Sequence, residues 1–144
     1  MNEHAALVET LRDAWSRPTL EEALAVASSL FHPDAVLSQP LVRTRRGFAS
    51  FERNMYGLAR IVRDLHLRVV DWEGSGDTVT VTFEMTGTVG RRRLRLRARD
   101  RFLLDAGLVR ERHVTMDSWS LVRPILATPT AWPRAVAVFV RLLF

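Results

Sequence analysis

One aspartate interrupts an apolar row. From Arg93 to Leu104 arginine alternates with apolar residues; Leu94, Leu96, Ala98 and Phe102 share one register, and Asp100 falls in it. Alternation at period two makes a strand with one buried and one wet face, so Asp100 points to the dry side. A carboxylate there costs free energy unless something pairs with it, which makes it a candidate for acid–base or substrate-anchoring work. The following turn supplies a partner. Asp105-Ala106-Gly107 fits a three-residue hairpin loop with glycine at the left-handed position. That loop pairs Leu104 with Leu108, sets Asp100 opposite Arg112, and places Ala98 against Val114 and Leu96 against Met116. A two-residue loop would instead set Asp100 against His113 and turn Glu111, Thr115 and Asp117 inward. The first register keeps the apolar face apolar and predicts an interior Asp100–Arg112 pair. The guanidinium is expected to pull the carboxyl pKa down. It could also bind a substrate carboxylate or carbonyl. A buried pair that only fixes the hairpin is the alternative.

Histidine is the usual acid–base group near neutral pH. His66 lies in a strand in phase with Arg68, Val70 and Trp72, and His113 lies beside the expected pair. His4 and His32 fall near helix ends and carry no functional expectation. No metal-ligand cluster or phosphate-cradling glycine loop is evident, and no cofactor is expected; Ser118 and Ser120 lack a nucleophile motif. Trp15, Phe83, Met116 and Tyr56 are expected to line or floor a pocket, as core residues at its open end.

The elements that must position these residues follow from hydrophobic spacing. Ala6, Leu7, Leu11 and Trp15 predict a helix over residues 3–16, ended by Pro18; Thr19-Leu20-Glu21-Glu22 is a capping box opening a second helix to about Phe31. His32-Pro33-Asp34 breaks it, and Ala35–Gln39 reads as a short strand stopped by Pro40. Gly47 to Ile61 predicts a third helix with Phe48, Phe51, Met55 and Leu58 on one side. Strands follow at 65–72, 78–88, 93–104 and 108–120, separated by turns at residues 74–77, Gly90 and 105–107. Residues 130–144 predict a last, very apolar helix with Pro133 in its first turn. It is expected to pack across the barrel mouth or into a dimer seam, with shallow membrane contact as the lesser alternative.

Composition bounds the rest. With 144 residues, 47% of them hydrophobic, the chain suits one domain with its own core. The absence of cysteine excludes disulfides and thiolate metal sites. No apolar run of about 18 residues predicts a membrane span, and a cytoplasmic protein is the default expectation. The net charge of +5 invites an anionic partner, but all 21 basic residues are arginine. Such a chain-wide bias reads as coding preference and argues against nucleic acid. The outward arginines 93, 95, 97, 99 and 101 span about 27 Å and could instead meet acidic neighbours such as Glu84.

The element order, with Phe31-His32-Pro33-Asp34-Ala35-Val36-Leu37 after the second helix, Gly47 opening the third, and Asp100-Arg101-Phe102 before a glycine turn and Val109, resembles the SnoaL-like, nuclear-transport-factor-2-like superfamily. The resemblance covers residues 3 to about 122. It implies an α+β fold: a cone-shaped, curved antiparallel sheet, or barrel, wrapped around the N-terminal helices, with residues 128–144 as an added helical extension. The superfamily holds isomerases, cyclases, hydrolases, dehydratases and non-enzymatic binders. Against ketosteroid isomerase, its tyrosine falls near Trp15, its base carboxylate on Gln39 and its protonated aspartate on Asp100. Glutamine cannot take a proton from carbon, which argues against that chemistry in its known form. Against limonene epoxide hydrolase, the charged triad falls on Val81, Phe83 and Val114, with Gln39 at the asparagine, so the triad is missing.

The expectation is a mainly apolar pocket lined by Trp15, Gln39, Phe83, Asp100, Arg112, Val114 and Met116, in a homodimer that binds a small hydrophobic ligand. An isomerase, cyclase or dehydratase acting on a polyketide- or terpenoid-like molecule leads. A non-catalytic small-molecule-binding or dimerisation module is the alternative.

Overall fold

The computed structural model describes residues 2–38 and 45–143. Two helices open it, α1 (Glu3–Trp15) and α2 (Leu20–Ser28). Asn2 caps α1 by accepting from the Ala5 amide at 2.7 Å, and Thr19 caps α2 by accepting from Glu22 at 3.2 Å. The buried stripe of α1 is Leu7, Val8, Leu11 and Ala14; Ala6 faces solvent and Trp15 is half-buried.

Strand β1 (Phe31–Ser38) begins earlier than expected and runs through His32-Pro33-Asp34. Its register against the neighbouring strand is irregular between Phe31 and Val36, which accommodates a proline that cannot donate to a ladder. Gln39 lies outside the described residues. A two-residue strand, β2 (Arg45–Arg46), precedes α3 (Phe48–Ile61). Gly47, at φ 87°, makes the turn between them while its amide donates to the Ala35 carbonyl at 2.8 Å.

The meander is β3 (Arg63–Ser75), β4 (Thr78–Val89), β5 (Arg92–Asp105) and β6 (Leu108–Met116). The strand order is β2-β1-β6-β5-β4-β3, an open sheet rather than a closed barrel. All pairs are antiparallel except β1 with β6, which is parallel. The α+β architecture is as expected, with a mixed sheet. On the wet face, Glu84 accepts from Arg68 at 3.1 Å and from Arg95 at 2.9 Å, so part of the arginine stripe is neutralised within the sheet.

The chain does not continue β6 to residue 120. Asp117 accepts from the Trp119 amide and from the Ser120 hydroxyl, capping an unexpected helix α4 (Ser118–Leu126). A 3-10 turn (Pro129–Ala131) leads into α5 (Trp132–Leu143), which packs on α3 and α4. Among the described residues no helix is long and apolar enough to cross a membrane. The buried residues form two clusters, one under α1, α2 and the start of α3, the other under α4 and α5.

The β5–β6 register departs from the expected one. Ala106 (φ 52°) and Gly107 (φ 81°) form a two-residue turn pairing Asp105 with Leu108, because left-handed turn residues match the twist of a hairpin. Leu104 then pairs with Val109 but Leu103 with Glu111, so Arg110 is an extra, bulged residue. The bulge restores the facing that the shorter turn would have reversed. Asp100 pairs with Val114, Ala98 with Met116 and Phe102 with Arg112, two residues from the expected partners and on the expected face.

Deleting Arg110 removes the bulge and leaves every other pair intact, so that variant is expected to melt cooperatively within about 5 °C of the parent. Deleting Arg101 turns Phe102 and Leu104 outward and should abolish the cooperative transition. Thermal melts followed by circular dichroism check both.

Candidate functional site

The two core clusters meet at a cavity of about 70 Å³ whose walls include Trp15, Phe83, Asp100, Arg112, Val114 and Met116. Six of the expected lining residues thus come together. Alternation on β4 and β5 directs Phe83 and Asp100 inward, the β6 bulge does the same for Arg112 and Val114, and the end of α1 contributes Trp15.

Asp100 and Arg112 are 4% and 8% exposed. Arg112 Nε donates to Asp100 Oδ2 at 2.8 Å, and Nη2 lies 2.8 Å from the same oxygen. The pair is diagonal on the sheet, since Arg112 stands opposite Phe102; a long side chain spans that offset. The guanidinium carbon also lies 4.5 Å from the centroid of the Phe51 ring on α3, a cation–π contact in a desolvated place. Asp100 is flanked by Val81 and Val114 on the adjoining strands, so among the described residues Arg112 alone answers its charge.

Burial pushes the Asp100 carboxyl above its ordinary range, against the opposing pull of the Arg112 charge and hydrogen bond. This is opposite to the direction expected from the guanidinium alone. Desolvation on the buried face of β5 outweighs a single partner.

Two residues that line this cavity each carry a buried donor with no hydrogen-bond partner among the described residues, Arg112 Nη1 and Trp15 Nε1. An unanswered buried N–H costs roughly 1–3 kcal/mol. Neither was legible in the sequence, because a side chain's spare hydrogen bonds depend on neighbours it does not name.

Other expected residues lie elsewhere. A bulge at Val70, between the pairs Val69–Phe83 and Asp71–Thr82, puts Trp72 in phase with Leu65 and Leu67 rather than with His66. His66 is therefore exposed on the outer face, opposite Thr86. His113 is also outward, 3.6 Å from Glu111. Tyr56 is 41% exposed on a different face of α3 from Phe51 and Met55. Among the described residues no three or more His, Asp or Glu side chains are grouped to hold a metal ion.

If Arg112 is what keeps Asp100 soluble in the core, Arg112→Met leaves a lone buried carboxyl and should lose about 3–5 kcal/mol at neutral pH. A carboxyl whose folded pKa is raised contributes most below its unfolded value and loses that contribution as pH rises through the folded one. The variant should therefore gain stability in urea titrations as pH falls from 7 to 5. Asp100→Leu combined with Arg112→Met should recover most of the loss.

Solved structures resemble this fold. TsrD from Streptomyces laurentii aligns with a TM-score of 0.68 at 23% identity, over 85% of this chain and 94% of that one. A Jannaschia sp. CCS1 protein named as a SnoaL-like polyketide cyclase aligns at 0.69 and 16% identity, over 87% and 92%. An LEH-like epoxide hydrolase of M. tuberculosis aligns at 0.64 and 15% identity, over 90% and 94%. At these identities the likeness is one of fold. No curated protein sequence matches the chain. The family model of the SnoaL-like domain matches residues 8–112, from the middle of α1 to the arginine of the buried pair, and the chain belongs to that family.

Proposed function

We propose that the protein is an isomerase-, cyclase- or dehydratase-type enzyme acting on a small hydrophobic carbonyl compound of polyketide or terpenoid character. The observation that carries this reading is the pair of unanswered buried donors, Arg112 Nη1 and Trp15 Nε1, on residues that line a mainly apolar cavity with Asp100 in its wall. Two fixed N–H groups in a low-dielectric site would bind a carbonyl oxygen and stabilise the enolate that these reaction types pass through. Asp100 orients the guanidinium, and burial shifts its carboxyl toward the protonated form, the direction that proton donation requires. The outward placement of His66 and His113 leaves Asp100 as the acid–base group among the described lining residues.

The cavity volume of about 70 Å³ corresponds to roughly two water molecules, against at least about 300 Å³ for a usual ligand pocket. A substrate must therefore displace wall side chains. Met55, Met85 and Met116 line the cavity, and methionine repacks at low cost. The small volume also favours a second reading, a non-catalytic binding module that closes around a fragment-sized ligand.

The test is a thermal-shift and native mass spectrometry screen of cyclic ketones against the parent, Trp15→Phe and Asp100→Asn proteins. Loss of one donor in Trp15→Phe should weaken a hit about 10-fold. Turnover of a hit that Asp100→Asn abolishes supports the enzyme; turnover unchanged in that variant removes Asp100 from proton transfer. Binding without turnover selects the second reading, and affinity unaffected by Trp15→Phe overturns the donor argument.

A further inference from the structure

A second concavity lies on the far side of α3 from the cavity. There α3 and α5 enclose a groove of about 350 Å³, lined by Arg53, Asn54, Tyr56, Arg60, Val138 and Arg141 together with Ser50 and Gly57. Gly57 allows the two helices to meet, because a Cβ at that position would lie 2.9 Å from Val138 Cγ1. Arg53 and Arg60 are two turns apart on one face of α3, and Arg141 approaches from α5.

The three arginines differ from many others in the chain. Arg12, Arg17, Arg68, Arg95, Arg99 and Arg112 all meet carboxylates. Among the described residues, Arg53, Arg60 and Arg141 make no ion pair or side-chain hydrogen bond, and no carboxylate lines the groove. Nothing acidic follows Asp117 in the sequence, so α4 and α5 bring only arginine to this end of the molecule. The outer arginine stripe offers no equal site: its hollow at Arg97 and Arg99 is wider, about 630 Å³, and contains Asp71.

We propose that the α3–α5 groove binds a phosphomonoester, its phosphate held by Arg53, Arg60 and Arg141 and its organic body lying along Tyr56 and Val138. Guanidinium groups bind phosphate through paired, charge-assisted hydrogen bonds, and three of them match a dianion better than a monocarboxylate. The volume is within the range of small-molecule sites and exceeds what inorganic phosphate alone would fill. Asn54 and the Tyr56 hydroxyl add neutral groups that could read the ester side.

The same chemistry could come from a soluble ester or from a lipid headgroup, and the experiment separates them. Phenyl phosphate is titrated calorimetrically at low salt into the full chain and into the Arg53→Gln, Arg60→Gln, Arg141→Gln triple variant, with benzoate as control. Cosedimentation with phosphatidylcholine vesicles, with and without phosphatidic acid, is measured in parallel. All three positions are exposed, so the variant should fold, which its melting curve verifies.

Phenyl phosphate is expected to bind with a Kd below about 1 mM and at least about 10-fold more weakly to the triple variant. Affinity should fall as salt is raised. Cosedimentation that requires phosphatidic acid and is lost in the variant supports the site with a lipid source. Binding of phenyl phosphate without cosedimentation supports it with a soluble one. Absence of binding in both arms, benzoate binding as tightly as phenyl phosphate, or binding unchanged in the triple variant each overturns the proposal. Trp15→Phe, which acts on the cavity, should leave this binding unaltered.

Discussion

A single residue joins four elements of this molecule through its backbone and its guanidinium. Arg112 lies on β6, pairs across the sheet with Leu37 of β1 and Phe102 of β5, bonds the Asp100 carboxyl and covers its own flat face with Phe51 of α3. Removing either charge alone strands the other in a low-dielectric interior, whereas apolar side chains of similar volume could replace both. The pair is therefore weak evidence of selection for stability. It lines the cavity, and Arg112 keeps one donor, Nη1, without a hydrogen-bond partner among the described residues. The same constraint explains the bulge at Arg110, since an uninterrupted ladder from the two-residue turn would have put His113 beside Asp100 and turned Arg112 to solvent.

The strand pattern made the buried face of β5 legible, because period-two alternation depends only on the local chain. The three helices before the meander were legible for the same reason, with Thr19 and Gly47 marking starts that the caps bear out. What the sequence concealed was non-local. The bulges at Val70 and Arg110 leave no compositional mark, yet one carries His66 out of phase with Trp72 and the other, together with the two-residue turn, shifts the hairpin by two residues. Helix α4 was hidden by residues 115–120, whose polar alternation continues the look of a strand until Asp117 caps the next turn.

The site was legible in its membership and not in its chemistry. Five of the lining residues could be named from face and spacing, and Trp15 from helix periodicity. Tyr56 lies off the stripe of Phe48, Phe51, Met55 and Leu58 that spacing marks as one side of α3, and it turns toward α5 instead of the cavity. The direction of the Asp100 shift also required the depth of burial, which no spacing rule supplies.

The parallel pairing of β1 with β6 has a kinetic consequence. Leu37 and Arg112 lie far apart in the sequence, with α3 and most of the meander between them, and no hairpin can bring them together. Loop-closure entropy opposes that contact until the intervening helix and meander have formed. The cavity needs side chains from both sides of this seam, with Phe31 on β1 and Arg112 on β6. It is therefore among the last parts of the molecule to assemble, and local opening of the β1–β6 seam would expose it without disturbing the local hairpins of the meander.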